Sequence, residues 1–248
     1  MKLFRGIDSY SIEQGAVVTI GSFDGLHGGH SSILTLLRDR AETSNIASVV
    51  ISFSPHPRVA LGRAEGLKLL TSDAEKRYLL SESGIDALLL LEFDDAFSKL
   101  SYEEFVVDYL LRRVNMKELI VGFNHHIGHN GGDYSSLTKL AQKENFEVIL
   151  AKEYNCGERI SSTRIRGLIE LGDIEAANRL LSHNYPIFGQ TTLKGEMIID
   201  EPLKLVPPPG RYLVTIDGSD SIIEIDDAQR IWCCERDKNI EIKLKKKV

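Results

Sequence analysis

Cysteine is scarce: three among 248 residues, Cys156, Cys233 and Cys234, the last two adjacent. An odd number with one neighbouring pair builds no disulfide framework and fits a reducing compartment, here expected to be the cytoplasm. Long apolar runs are missing too. No stretch reaches the ~18 apolar residues of a membrane span, and Met1-Lys-Leu-Phe-Arg-Gly-Ile-Asp8 has no apolar signal core, so no membrane association is expected. Positive charge is not in excess. A formal net charge of −6 argues against nucleic acid as a partner, and the basic residues 243–247 read as a solvated segment. No internal repeat or low-complexity tract interrupts the chain. What remains is 42% hydrophobic and 27% charged, an ordinary globular composition, enough to build a core without metal or disulfide staples.

Short apolar runs at residues 17–21, 48–53, 87–93, 119–122 and 147–151 read as buried strands. The longer segments between them have helical spacing, as with Ile33, Leu36 and Leu37. Ser72-Asp-Ala-Glu75 and Ser101-Tyr-Glu-Glu104 read as capping boxes at two helix starts, and residues 134–145 as a further helix. Near-continuous apolar strands alternating with helices predict a doubly wound, Rossmann-like parallel sheet with its ligand site outside the strands' carboxyl ends. After Arg164 come two short helical pieces, and the character changes near Tyr185-Pro186. Five of the seven prolines lie beyond that point. Alternating short runs and the turn signal Asp217-Gly218 predict a small antiparallel β unit. The expected division is residues 1–185 and 186–248.

The residues that suggest chemistry lie where those strands end. Ile20-Gly-Ser-Phe-Asp-Gly-Leu-His-Gly-Gly-His30 follows the first strand and opens the first helix. Gly25, Gly28 and Gly29 lack side chains, so a polyphosphate can approach the backbone and the free N–H groups of the helix start. His27 and His30 can aim at one bound anion across that turn; the alternative is a tight turn with incidental histidines. In Ile160-Ser-Ser-Thr-Arg-Ile-Arg166 small hydroxyl residues precede a helix, and Arg164 and Arg166 add forked donors suited to phosphate. A plain helix cap with solvated arginines is the other reading of that segment. Together the two motifs suggest one triphosphate. Phe53-Ser-Pro-His-Pro57 ends the second strand, with His56 in either a recognition or a surface-turn role. Val121-Gly-Phe-Asn-His-His-Ile-Gly-His-Asn-Gly-Gly-Asp133 ends the fourth. There His125 and His129 have the spacing of metal ligands on a helix, but the glycines oppose a helix. A metal site, ligand recognition and an inert loop are the readings of this segment. Six of the seven histidines fall in these three segments.

At these residues the sequence resembles the bacterial FAD synthetase family, the bifunctional riboflavin kinase/FMN adenylyltransferases, over roughly residues 15–185. Gly-Ser-Phe-Asp-Gly-Leu-His-Gly-Gly-His, Pro55-His-Pro57 and Ile160-Ser-Ser-Thr-Arg-Ile-Arg166 carry the likeness. The resemblance implies a nucleotidyltransferase that joins the AMP of ATP to FMN, with Mg²⁺ on the phosphates and small molecules as its partners. It implies that His27, His30 and Arg166 act on the reacting phosphates. Gly21, Ser22, Phe23, Asp24, Gly25, Gly28, Gly29, Ser161, Ser162 and Thr163 would then surround ATP. Phe53, His56, Pro57, Asn124, His125 and Asp133 would surround FMN. The chain departs from the family pattern at Asn124-His125, where Asp-Phe is usual, and at Gly131, where an arginine is usual. No proline here is followed by threonine, so the kinase motif Pro-Thr-Ala-Asn is missing. The carboxyl-terminal unit is therefore expected to be a truncated, barrel-like remnant without kinase activity.

Overall fold

The computed structural model describes residues 1–123, 125–152 and 160–248. Two compact units emerge. One comprises residues 1–23, 29–65 and the described part of 79–155; the other comprises 24–28, 66–78 and the described residues from 160 onward. The second unit thus takes in two short excursions from the amino-terminal half of the chain, one of them half of the glycine–histidine turn.

The first unit is built on six strands: β1 (Lys2–Arg5), β2 (Ala16–Ile20), β3 (Ala47–Ser54), β4 (Ala87–Glu92), β5 (Met116–Val121) and β6 (Glu147–Leu150). They pair in parallel in the order β1-β4-β3-β2-β5-β6. Every residue of β2 is buried, which explains its unbroken apolar run; a strand inside a parallel sheet has no solvent face to alternate toward. The strand order reverses direction between β2 and β5, and a ligand crevice is expected at such a point, beyond the strands' carboxyl ends. The helices between these strands in sequence are α1 (Gly28–Ser44), α2 (Pro57–Ala60), α3 (Asp73–Glu82), α4 (Tyr102–Glu104) and α5 (Tyr134–Glu144); Gly28 and residues 73–78 of these are counted in the second unit. Ser101 and Glu104 form the expected reciprocal capping box, after which α4 widens into a π-helical stretch, Phe105–Leu111. The core runs through Val18, Val49, Leu89, Val106, Leu110 and Leu119, all fully buried. Each such side chain contributes about 1.5–3 kcal/mol relative to exposure.

The second unit contains α6 (Ser162–Glu170) and α7 (Ile174–Leu181). Six strands follow: β7 (Tyr185–Thr191), β8 (Glu196–Ile199), β9 (Gly210–Ile216), β10 (Ser219–Ile225), β11 (Ile231–Trp232) and β12 (Asn239–Lys247). They close into an antiparallel barrel in the order β10-β11-β8-β7-β12-β9. The small β unit expected from the sequence is therefore a complete barrel in strand number. Asp217 and Gly218 both take positive φ (50° and 82°), the conformation that matches a two-residue hairpin to the strands' twist. Leu70, Ile165, Ile169, Leu181, Tyr185 and Tyr212 join the barrel's inward side chains in one buried cluster. Among the described residues no helix is long and apolar enough to cross a membrane.

Candidate functional site

In the first unit, β2 runs out at Gly21 and the chain turns through Ser22 and Phe23. Phe23 is buried with φ 47°, a backbone conformation unfavourable for a bulky side chain. Its ring packs against the imidazole of His30 at a centroid distance of 5.0 Å, fixing the first turn of α1 against the strand's exit. A cavity of about 510 Å³ opens here, lined by Gly21, Ser22, Phe23, His30, Gly122, His125 and His126 among others. A second cavity of about 310 Å³ is walled by Phe53, Phe93, Phe97 and Phe105 with Ile127, Gly128 and His129. Phe53 meets Phe93 and Phe97 edge-on at 5.3 Å and 5.6 Å, the tilted arrangement that aromatic quadrupoles favour. The two cavities share Ile20, Gly21, His125 and His126.

His125 bridges a polar and an apolar space. Burial, with His126 beside it, pushes its imidazole down to about 4, so the ring is neutral at neutral pH. His56 and Pro57 take another part. Pro57 opens α2, and His56 caps it, Nδ1 accepting from the Arg58 N–H at 3.2 Å. Asp133 caps α5 in the same way, accepting from the N–H and the hydroxyl of Ser136 at 2.8 Å each; those bonds hold its carboxyl below the usual range. Asn124 lies outside the described residues.

The second unit holds the other half of the turn. Asp24, 4% exposed, accepts at Oδ1 from the Leu70 and Thr71 N–H groups at 2.8 and 3.0 Å. At Oδ2 it receives Arg166 Nη2 at 2.6 Å. Arg166 also donates from Nε to the Lys68 carbonyl at 2.7 Å. Two of the guanidinium's five donors are thus committed to holding the turn, a task that its planar fork suits. Ser162 donates to the Asp24 carbonyl at 2.9 Å. Ser161 caps α6, accepting from the Arg164 N–H at 3.3 Å, and Thr163 is exposed in that helix's first turn. Helix α6 therefore presents hydroxyl groups and N–H dipoles at its start, a terminus suited to anions.

At Gly25 packing adds its own requirement for glycine. Its φ is +85°, and a Cβ there would lie 2.7 Å from the Leu70 side chain. Glycine at 25 lets the turn pack against Leu70. Gly28 and Gly29 sit in the first turn of α1, with the Gly29 carbonyl accepting from Ser32 Oγ at 3.0 Å. Burial lowers the His27 pKa, His183 adds to the lowering, and its own backbone and Asp24 act against it.

Three participants escaped the sequence reading. Thr71 Oγ1 accepts from the Gly25 N–H at 3.1 Å. His183, the one histidine outside the strand-end segments, approaches the Gly25 carbonyl at 3.0 Å from 158 residues away. Lys204, 1% exposed at its side chain, donates to the Leu70 carbonyl and to fully buried Glu75, both at 2.6 Å. The only available signal was that His183 follows a helix directly; nothing marked Lys204.

One unit thus offers a helix-opening histidine and an aromatic cavity, and the other a histidine turn organised by a buried Asp–Arg pair. These features narrow the comparison with known proteins. The FAD synthetase family model matches residues 9–164. The chain belongs to the FAD synthetase family. Among curated relatives, a bifunctional riboflavin kinase/FMN adenylyltransferase of Buchnera aphidicola subsp. Schizaphis graminum is 34% identical over 194 residues, covering 77% of this chain and 62% of that protein. One of the same name from Escherichia coli K12 is 32% identical, covering 79% and 64%. Another from Pseudomonas fluorescens is 32% identical, covering 88% and 73%. The chain thus spans a little under two thirds of the first two relatives. A crystal structure of a macrolide-efflux protein from Streptococcus pneumoniae matches with a TM-score of 0.86 at 20% identity, over 100% of this chain and 91% of that one. At that identity the likeness is one of fold, and it extends through the barrel of this FAD synthetase family member.

Proposed function

We propose that this chain is an FMN adenylyltransferase, transferring AMP from MgATP to FMN to give FAD and pyrophosphate. The observation that carries the reading lies in the first unit, where the aromatic cavity and the cavity at the glycine turn share Ile20, Gly21, His125 and His126. A flat, aromatic acceptor suits walls made of four phenylalanines, and its phosphate then reaches the shared edge. The relatives' names and the family motifs point the same way.

In the proposed reaction a phosphate oxygen of FMN attacks the α-phosphorus of ATP. The new P–O bond forms as the bond from the α-phosphorus to its bridging oxygen breaks, and pyrophosphate leaves with the electron pair. A phosphate monoester is largely dianionic at pH 7 (second pKa ~6), so the nucleophile needs no general base. Positioning and neutralisation of charge remain as the protein's task. His30 and His27 donate to phosphate oxygens as charge shifts toward the leaving group. Ser162, Thr163 and the start of α6 hold the β- and γ-phosphates, and Arg166 keeps the turn and its charge in place. Magnesium enters on the nucleotide's phosphates as part of the substrate, because it keeps several waters and takes few protein ligands. Cys233 and Cys234 are free thiols, in keeping with the cytoplasm.

The test is incubation with MgATP and either FMN or riboflavin, followed by separation of the flavins. FAD from FMN, with no product from riboflavin, is expected. FMN or FAD from riboflavin would establish the alternative, a bifunctional riboflavin kinase/FAD synthetase, and no flavin product from either would redirect the search to other phosphorylated acceptors.

A further inference from the structure

The second unit carries a histidine that the proposed reaction does not use, held in an unusually determined position. Helix α7 is capped at its carboxyl end by Ser182, which takes a left-handed conformation (φ 66°) with its N–H on the Asn178 carbonyl at 2.8 Å. Asn178 also grips the start of the barrel: its Oδ1 accepts from the Tyr185 N–H at 2.8 Å, and its Nδ2 donates to the Leu244 carbonyl of β12 at 2.8 Å. His183 therefore projects from a short segment fixed to both α7 and the barrel.

Its ring meets two carbonyl oxygens. Nδ1 lies 3.0 Å from the Asn184 carbonyl and Nε2 lies 3.0 Å from the Gly25 carbonyl. Carbonyls only accept, and a neutral imidazole has a single N–H. Burial, with Lys204 and Lys243 nearby, keeps the ring's pKa below its ordinary value, although the two carbonyls pull it up. One of the two contacts must then carry the only proton. The Asn184 contact is exposed and the Gly25 contact is partly buried. Water can serve an exposed carbonyl, whereas an unsatisfied buried one costs free energy, so the proton belongs on Nε2.

The carbonyl so held is strategic. Gly25 and Leu26 both have positive φ, +85° and +40°, and such a turn persists only where its surroundings over-determine it. Thr71 takes the Gly25 N–H, and Arg166, Leu70 and Thr71 take the Asp24 carboxylate. On the His27 side, His183 is the corresponding side-chain clamp. Resting on the adenylyl-transfer reading above, we infer that His183 is a positioning residue of the nucleotide-binding turn, its Nε2–H holding the Gly25 carbonyl and thereby fixing the backbone from which His27 reaches the phosphates. On this account the barrel segment serves the transferase chemistry.

Three measurements on the full chain test this. Long-range ¹H–¹⁵N spectra should show the neutral ring of His183 protonated at Nε2; protonation at Nδ1 would overturn the inference whatever the activity. Affinity for MgATP, measured by calorimetry, should fall by ~10-fold in His183→Ala, and kcat/KM for MgATP by ~10–100-fold, the scale of an ångström-level misplacement. His183→Gln, whose amide N–H₂ can reach the same carbonyl, should recover most of both. A purely structural role predicts equal damage from both variants in proportion to lost melting temperature. A glutamine variant as weak as a folded alanine variant, or an alanine variant within twofold of the parent, sinks the inference. Should His183→Ala fail to fold, the tautomer and the glutamine variant, which must stay near the parent, decide. If the parent makes no FAD, the reaction assigned above fails on its own; the clamp is then judged on MgATP affinity and the tautomer.

Discussion

Arg166 Nη2 meets Asp24 Oδ2 at 2.6 Å across 142 residues of sequence, with the two side chains 21% and 5% exposed. A pair this buried is more costly to break than a surface salt bridge. Lysine keeps the charge but, as a point donor, cannot reach both Asp24 and the Lys68 carbonyl in the fork geometry that arginine supplies. Arg166→Lys is expected to lower stability by ~1–3 kcal/mol and kcat/KM for MgATP by ~10²-fold. Urea unfolding and steady-state kinetics check the two parts. Parent-like values for both would mean that the carboxylate, not the fork, determines the turn.

His30 differs in kind. It is half-buried, lines the larger cavity and touches Phe23. Removing one preorganised donor to developing charge costs on the order of 10²–10³ in turnover at comparable sites. His30→Ala should lower kcat by that amount while melting within a few degrees of the parent. A mutant within a few-fold of parent turnover removes His30 from the mechanism.

The loop at the aromatic cavity depends on a close approach. Ile127 and Gly132 exchange backbone hydrogen bonds at 3.0 and 2.8 Å. A Cβ on Gly132 would fall 2.3 Å from Tyr102 Cγ, an atom near the backbone that cannot swing away. Gly132→Ala should cost ~1–3 kcal/mol as overpacking. Because Ile127, Gly128 and His129 line the cavity, KM for FMN should rise several-fold with KM for MgATP unchanged. Equal changes in both would place the loop's influence elsewhere.

Much of this was legible in the residues. The buried parallel strands announced themselves because a strand covered on both faces is apolar throughout, and the histidine–glycine turn because those residue types rarely coincide by packing alone. Strand β1 was missed: four residues at a sheet edge, of which only Phe4 is buried, give no periodic signal. Strand β7 was hidden by Pro186, a residue that ordinarily demotes a strand reading. Barrel closure was illegible because β12 pairs with both β7 and β9, and alternation does not name partners. His56 and Asp133 illustrate an intrinsic ambiguity, since groups that accept hydrogen bonds from ligands also cap helices. His183, Thr71 and Lys204 act across long sequence separations, where residue type alone carries no signal.

The histidines also set an acid limit. In the unfolded chain His125 should titrate near ~6.5, but in the fold it is pushed down to about 4. Between those values the unfolded state binds more protons than the native state. Stability therefore falls as pH drops through 6.5, and this contribution is gone below about pH 4. His27 and His183, also lowered, act in the same direction. Melting temperature should decline steadily from pH 7 to pH 4.5, and His125→Phe should flatten that slope. An unchanged slope would show that another group controls the acid limb.

Glu75 and Lys204 form the most deeply buried ion pair among those described, at 0% and 1% side-chain exposure. Glu75 is fully used: Oε2 accepts from Ser72 N–H and Lys204 Nζ, and Oε1 accepts from the Phe188 N–H of β7 at 2.9 Å. Lys204 in turn holds the Leu70 carbonyl, and the Leu70 N–H holds Asp24. The pair thus joins a barrel strand to the glycine–histidine turn within the second unit. Removing one partner leaves a charge without its counterion in a place water does not reach, at ~3–5 kcal/mol. Glu75→Gln and Lys204→Met should each lower the melting temperature by about 10 °C for a chain of this size. The double variant carries no stranded charge, so it should lie ~1–3 kcal/mol above the sum of the two single losses. It should still fall short of the parent, because the Leu70 carbonyl has lost its donor. Strict additivity would mean that the two side chains stabilise the turn independently, and the ionic link between barrel and turn would have to be abandoned.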